Sequence, residues 1–419
     1  MTPPLSESEV LALADSALAH AGSRAQVTAI WERRVTTVGE PRVEDHVAVE
    51  FVALDGDGIG RATTSAVDDA GLRQAAGAAR ELAAQGGEHA AADLPEPAPG
   101  RVHQGWDPAV LSVDPAAVAA ELAQRFPGAQ AAWHAGAART AVVSTAGIRA
   151  FEQRSFASLR VTRTTNGRTT IEALAATGPA GLDLDAVAAR LDAQSVLGAP
   201  VAAPVGDHGV VLGPAAVGVV LDLVRPHFGA LAATSGSAIA DRLGRRVVAS
   251  CVALSDSPRF PGTLPRSYDA EGLPRQPLPL VQDGVAHRVV RDSASPGGPS
   301  TGHATVALAS APVPEHLVLV GGGANSEDDL IAPLERGLHI TALDPSGRRA
   351  LGAFLVEDGR RTAALHDFAV DVDALAVLAA TQALTMDQRL IATSDVSART
   401  VGASMCPALR AGAGVRVSG

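Results

Sequence analysis

The chain has 419 residues, 47% of them hydrophobic and 19% charged, which is enough for two or three domains with a real core and excludes a disordered or fibrous protein. Its net charge is −11, every basic residue is arginine and only 3% of residues are aromatic, so a surface for nucleic acid is not expected. Cys251 and Cys406 have no second Cys or His at metal-ligand spacing and read as small buried hydrophobes in a reducing cytoplasm; no basic signal-peptide start precedes Arg24, and no apolar run reaches the ~18 residues of a membrane span.

Ser6-Glu7-Ser8-Glu9 is a capping box, and apolar residues at helical spacing from Val10 to Leu18 predict an opening helix that ends near Gly22. Alternating patterns predict strands over 26–35 and 46–54, and Asp55-Gly56-Asp57-Gly58 turns the second into a third, 59–64. Ser65 is placed to cap a helix over about 68–84, and 86–108, rich in Pro, Gly and Ala, reads as a long loop. A helix over 115–125 follows. Residues 156–165 and 168–176 around Asn166-Gly167 form the clearest hairpin, and a helix is expected over 184–197. The small residues and prolines of 198–209 mark a boundary between an N-terminal domain, 1–203, and a C-terminal one, 204–419.

Beyond it the pattern predicts strand 210–212, a helix entered at Pro214, strand 246–254 and a hairpin at Asp283-Gly284. Strands near 316–320, 338–343 and 349–356 and helices near 326–336 and 371–384 complete the second half. Hairpins with segregated helices imply an α+β fold: an N-terminal domain of hairpins and helices and a β-rich C-terminal domain with antiparallel or mixed sheets.

The twelve histidines are all more than five residues apart and none is followed by Glu, so HExxH is absent, as are a phosphate loop and a GxSxG elbow. Gly321-Gly322-Gly323 lies between a strand and a helix start, but Glu327, Asp328 and Asp329 would repel an anion there, so it reads as a tight turn. Two segments stand out: SYDAEGLP (267–274), with Asp269 and Glu271 two apart before Gly272, and PSTGHA (299–304), with small polar residues around His303. A carboxylate pair suits acid/base or metal chemistry; the alternative is that both carboxylates satisfy backbone amides in a turn and His303 is a hydrogen-bonded loop residue.

These segments, with GDGIGRATTS (56–65), VVLGPAAVGVVLDLV (210–224), SYDAEGLPRQPLPLVQDGVAHRVVRDS (267–293), STGHA (300–304) and HLVLVGGGANSEDDLIAPLERGLHI (316–340), resemble in order and spacing the TldD/PmbA family, also described as modulators of DNA gyrase. That family has a TldD-like subunit with HExxxH on the helix after the VVL strand and a TldE (PmbA)-like subunit without it. Here Leu221 and Pro226 fall where the two histidines would be and Asp222 where the glutamate would be, so the resemblance is to the TldE-like member. His227 is one residue beyond the second ligand position, which turns a helical side chain by about 100°, and Cys406 lacks the glycine-rich frame of TldD-like tails.

The resemblance implies a catalytically inactive chain with no metal of its own. Its partner would be a TldD-like HExxxH subunit that carries zinc, in a cytoplasmic heterodimer that processes unfolded or leader peptides. It also implies that Tyr268, Asp269, Glu271, Gly272, Ser300, Thr301, Gly302 and His303 line the shared chamber, and that an extended peptide pairs with exposed sheet edges. Two other readings stay open: a homodimeric peptide-binding scaffold with no protease role, and an independent hydrolase using Asp269, Glu271 and His303.

Overall fold

A computed structural model describes residues 4–86, 88–89, 93–103, 105–194, 198–230, 239–308, 312–392 and 402–418. The first half is built on one antiparallel sheet of β1 (Ala25–Thr36), β2 (Arg42–Asp55), β3 (Gly58–Thr64), β4 (Glu88–His89), β5 (Gln130–Ser144), β6 (Arg149–Thr165) and β7 (Arg168–Ala176). Their order across the sheet is β4-β3-β2-β1-β5-β6-β7. Helices α1 (Glu7–Ala21), with the expected capping box at Ser6, and α2 (Asp69–Ala84) pack on one face. Alternation along β6 sends Ala157, Leu159 and Val161 to that helix-covered core and Phe156 to the opposite face.

That opposite face is closed by the second half of the chain. Phe156 packs with Leu264, Val318 and Met405, all buried. In the second half a ten-stranded mixed sheet sets Val210–Leu212 parallel to Arg336–Ile340 and antiparallel to Ala403–Ala411. A five-stranded sheet is assembled from residues between Gly206 and Val417. With α3 (Pro115–Arg125) and α4 (Leu184–Ala193) in the first half, the helix at Pro214 is α5 (Pro214–Val224). Ala216, Val217, Val220, Leu221 and Val224 of α5 are fully buried in the main core of this half. The fold is α+β with antiparallel and mixed sheets, as the sequence pattern predicts. Among the described residues no helix is long and apolar enough to cross a membrane.

Several elements differ from expectation for local reasons. The cap of α2 is Asp68, whose side chain accepts from the Gly71 amide, and not Ser65. Helix α4 ends at Ala193, and residues 195–197 of the expected helix lie outside the described residues. Of the expected 246–254 strand only Leu254 is in one, the strand Leu254–Asp256, because the amides of Val247 and Val248 turn to the Gly284 carbonyl at the hairpin tip. The 326–336 helix is only Glu327–Ile331, since Pro333 disfavours helix at the residue before it. The apolar run 371–384 resolves into strand Phe368–Val372, a short helix Ala374–Ala379 capped by Asp373, and strand Thr381–Ala392 paired with Ala403–Ala411. Around Gly321 and Gly322 the backbone packs against the carbonyls of Leu384, Thr385 and Met386, which explains the glycines without an anion.

On β3, Gly58 and Gly60 let α2 lie directly on the strand, for a Cβ at Gly60 would run into the Ala79 carbonyl and the Ala83 amide. Gly77, on the same helix, has no atom within 4 Å of where its Cβ would be. Gly60→Ala is expected to cost about 1–3 kcal/mol, whereas Gly77→Ala is expected to be neutral or to stabilise by about 0.4–1 kcal/mol. Urea unfolding of the two variants checks this, and equal effects would contradict the close packing of α2.

Candidate functional site

The structure brings the two singled-out segments together beneath the face of the first sheet that the second half covers. Residues 268–274 form a tight hairpin: Tyr268 bridges Pro274, and the Asp269 amide donates to the Leu273 carbonyl at 2.9 Å. Gly272 sits at φ +77°, where its missing Cβ would meet Val142 and Ile148. Asp269 Oδ1 accepts from the amides of Glu271 (3.0 Å) and Leu273 (2.9 Å), and Oδ2 from the Ala304 amide (3.0 Å), which ties this hairpin to the 300–304 loop. Glu271 accepts from the Ser293 amide (3.1 Å) and hydroxyl (2.6 Å) and from the Leu308 amide (3.2 Å). Burial raises the pKa of Asp269, and burial together with the neighbouring Asp269 pushes Glu271 up to about 7.

In the loop, the Thr301 hydroxyl accepts from the Arg291 amide at 2.8 Å, the Ser300 hydroxyl accepts from the Gly302 amide at 3.1 Å, and Gly302 packs on the Pro274 carbonyl. His303 is buried, with Nδ1 2.8 Å from the Thr301 carbonyl and Nε2 3.5 Å from Asp256 Oδ1. Asp269, Glu271 and His303 are therefore wired into backbone amides and loop contacts. That geometry describes turn-stabilising groups, with no free carboxylate pair for acid/base work.

Behind them lies a buried ion network whose members are far apart in sequence. Arg275, fully buried, donates to Glu315 Oε2 at 2.5 Å and lies 3.5 Å from Asp256 Oδ2. Arg266 donates to the same Glu315 oxygen at 2.6 Å and lies 3.7 Å from Glu152 on β6, which in turn accepts from the Ser267 amide. Burial opposes ionisation of Asp256 and Glu315, but the arginines beside them (Arg275 for Asp256, Arg266 and Arg275 for Glu315) outweigh it and hold both carboxyls well below the usual range. Burial, then Arg275, pushes His316 down to about 3, so its ring is neutral at pH 7. Burial and then Arg266 lower Arg154 to about 10.

Two cavities flank the Phe156 contact. One of about 350 Å³ is lined by Tyr268, Asp269, Arg266, Glu152 and Arg154 together with residues of β2 and β3. Of the eight residues proposed to line a chamber, Tyr268 and Asp269 face this cavity; Glu271, Gly272, Gly302 and His303 are buried behind it, and Ser300 and Thr301 are half-buried. The other, about 440 Å³, lies against α5, with Asp222 and Arg225 on one wall and Arg160 of β6 on the other.

The α5 wall does not fit a catalytic zinc. Leu221 is fully buried in the core, Pro226 opens a short 3-10 turn (Arg225–Phe228), and Asp222 is paired with Arg225 at 2.5 Å. His227 lies on that same turn, half-buried. Cys406 is buried, its thiol donates to the Ser404 carbonyl at 3.3 Å, and burial raises its pKa far above the ordinary value. Asp256 Oδ1, His303 Nε2 and both ring nitrogens of His316 have no hydrogen-bond partner among the described residues. Even so, among the described residues no three His, Cys, Asp or Glu are placed to share a metal ion.

Residues 206–419 match the family model described as the PmbA/TldA metallopeptidase C-terminal domain. Sheet architecture and this match define a protein of metallopeptidase-like fold. The chain belongs to the PmbA/TldD family. Among solved structures it is similar to TldE from Thermococcus kodakarensis, at 16% identity and a TM-score of 0.82, covering 99% of this chain and 100% of that one. It is also similar to a candidate modulator of a DNA gyrase from Thermotoga maritima (15% identity, TM-score 0.80, 97% of this chain and 99% of that one). A third, a candidate modulator of DNA gyrase from Bacteroides thetaiotaomicron, has 14% identity and a TM-score of 0.74 and covers 98% of each chain. At these identities the likeness is one of fold. No curated protein matches the sequence.

Two outcomes test the site's electrostatics. Arg275→Met leaves Asp256 and Glu315 short of their buried counter-charge and is expected to cost about 3–5 kcal/mol in denaturant unfolding; a loss under 1 kcal/mol would contradict the network. Glu271 holds its proton more tightly folded (about 7) than unfolded (4.5). The folded state thus binds more protons than the unfolded one across that window, and stability falls as pH rises through it. Glu271→Gln should remove that part of the pH slope, and an unchanged slope would refute the shift.

Proposed function

We propose that this chain is the non-catalytic, TldE-like subunit of a two-subunit peptidase. In this reading it pairs with an HExxxH homologue that carries the zinc, and it shapes a chamber for unfolded or leader peptides held in extended conformation. One observation carries the reading. On α5, the helix that bears the metal motif in TldD-like subunits, the first ligand position is Leu221 in the core, the glutamate position is Asp222 in an ion pair with Arg225, and the second ligand position is Pro226. A catalytic zinc takes three protein ligands and an open position, and α5 offers neither the donors nor a free carboxylate. Tyr268 and Asp269, which line the cavity between the first sheet and the second half, are the residues assigned to peptide contact; Glu271, Gly272 and the Ser300–His303 loop support them from behind.

Co-expression with an HExxxH homologue tests this. The expected outcome is a complex of both chains with zinc in the homologue, peptide digestion only when both chains are present, and no stoichiometric zinc in this chain alone after dialysis against a mild chelator. One tightly held zinc in the isolated chain would overturn the assignment, and so would a mass by light scattering that the homologue leaves unchanged.

A further inference from the structure

The cavity against α5 has a charge arrangement that the proposed subunit role does not use. Arg225 is committed: its Nη1 donates to the carbonyls of Pro314 (2.8 Å) and Glu315 (3.0 Å), and its Nη2 to Asp222 (2.5 Å) and Ser404 (3.4 Å). Asp222 is neutralised by that pair, and the Glu315 carboxylate is held on the far side by Arg266 and Arg275. Across the cavity, Arg160 has no hydrogen-bonding or ionic partner among the described residues. Arg160 is an exposed residue, but the protein around the cavity covers it enough that burial lowers its pKa, and no carboxylate among the described residues raises it. The walls between are apolar, including Ile171, Val219, Val313 and Ile391.

A guanidinium with no partner among the described residues, at a largely apolar recess of about 440 Å³, is suited to a carboxylate carried on a small apolar group, since its planar fork matches two carboxylate oxygens. We propose that this cavity binds the C-terminal residue of a peptide, with Arg160 taking the terminal carboxylate and the recess taking an apolar side chain. The peptide source rests on the peptide-holding reading above; the carboxylate chemistry does not.

Calorimetric titration of the isolated chain tests both parts, with three probes: acetyl-Ala-Leu with a free carboxylate, its C-terminal amide, and 4-methylpentanoate. The free-carboxylate peptide is expected to bind about 10- to 150-fold more tightly than the amide. Arg160→Gln should abolish that preference and Arg160→Lys should keep part of it, with circular dichroism confirming that both variants fold. Equal binding of acid and amide, no binding of either at millimolar concentration, or a preference that survives Arg160→Gln would overturn the proposal. If 4-methylpentanoate binds as tightly as the peptide, the recess takes free carboxylic acids and the peptide source is overturned. Because no partner is present, failure here leaves the complex-formation test standing, and failure of that test leaves the carboxylate site standing.

Discussion

The arrangement of the molecule depends on keeping the Arg275 guanidinium out of water. A buried ion loses several kcal/mol of hydration, which only close counter-charges and saturated hydrogen bonds offset. Asp256 ends one strand of the ten-stranded sheet, and Glu315 lies two residues before Leu317–Leu319, the strand antiparallel to it. Arg275 lies on the chain between them, so its two partners fix where that long connection returns to the sheet. Arg266 shares Glu315 and extends the network to Glu152 on β6, binding the connection to the first half as well. Arg275, Arg266 and Arg154 stand against Glu152, Asp256 and Glu315, so removing one member leaves a buried opposite charge short of its partner.

This connection is also where the sequence is least transparent. Capping boxes, Asx caps and the Asn166-Gly167 turn are local signals, so α1, the Pro115–Arg125 helix and the β6–β7 hairpin are legible from neighbours in the chain. Strand β5 is not, because Ala and Gly fill positions where alternation would otherwise appear, and its strand character comes from pairing with β1 and β6. The run from Phe368 to Ala392 is apolar at both helical and strand spacing, and tertiary pairing with Ala403–Ala411 decides it. The 267–274 and 299–304 segments are visible as unusual, yet the groups that set their electrostatics come from elsewhere: Glu152, Asp256 and Glu315 have no local pattern to betray that they meet. A single arginine on a strand, such as Arg160, reads as an ordinary solvated charge until the opposite wall is known.

Helix α5 sets one wall of the second cavity through its packing. Its apolar face is set by Val217, Val220, Leu221 and Val224, and these bury it whether or not a metal sits on the other side. Leu221 is part of that apolar face, and Pro226 stops the regular helix from continuing past Val224. Asp222 is a carboxylate at the cavity wall and needs a counter-charge. Arg225, three residues on, lies on the same helical face and supplies it.

The consequence reaches the other half of the chain. In β6, alternate side chains face the second half, so Glu152 and Arg154 enter one cavity, Phe156 closes the middle, and Arg160 enters the other. At the first cavity the arginines meet carboxylates from the 256–316 connection. Among the described residues that line the cavity with Arg160, both carboxylates are already engaged, Asp222 with Arg225 and Glu315 with Arg266 and Arg275. One strand thus presents paired polar groups on one side of Phe156 and, on the other, a positive charge with no partner among the described residues, and the two cavities, though on one sheet face, differ in the charge they can accept.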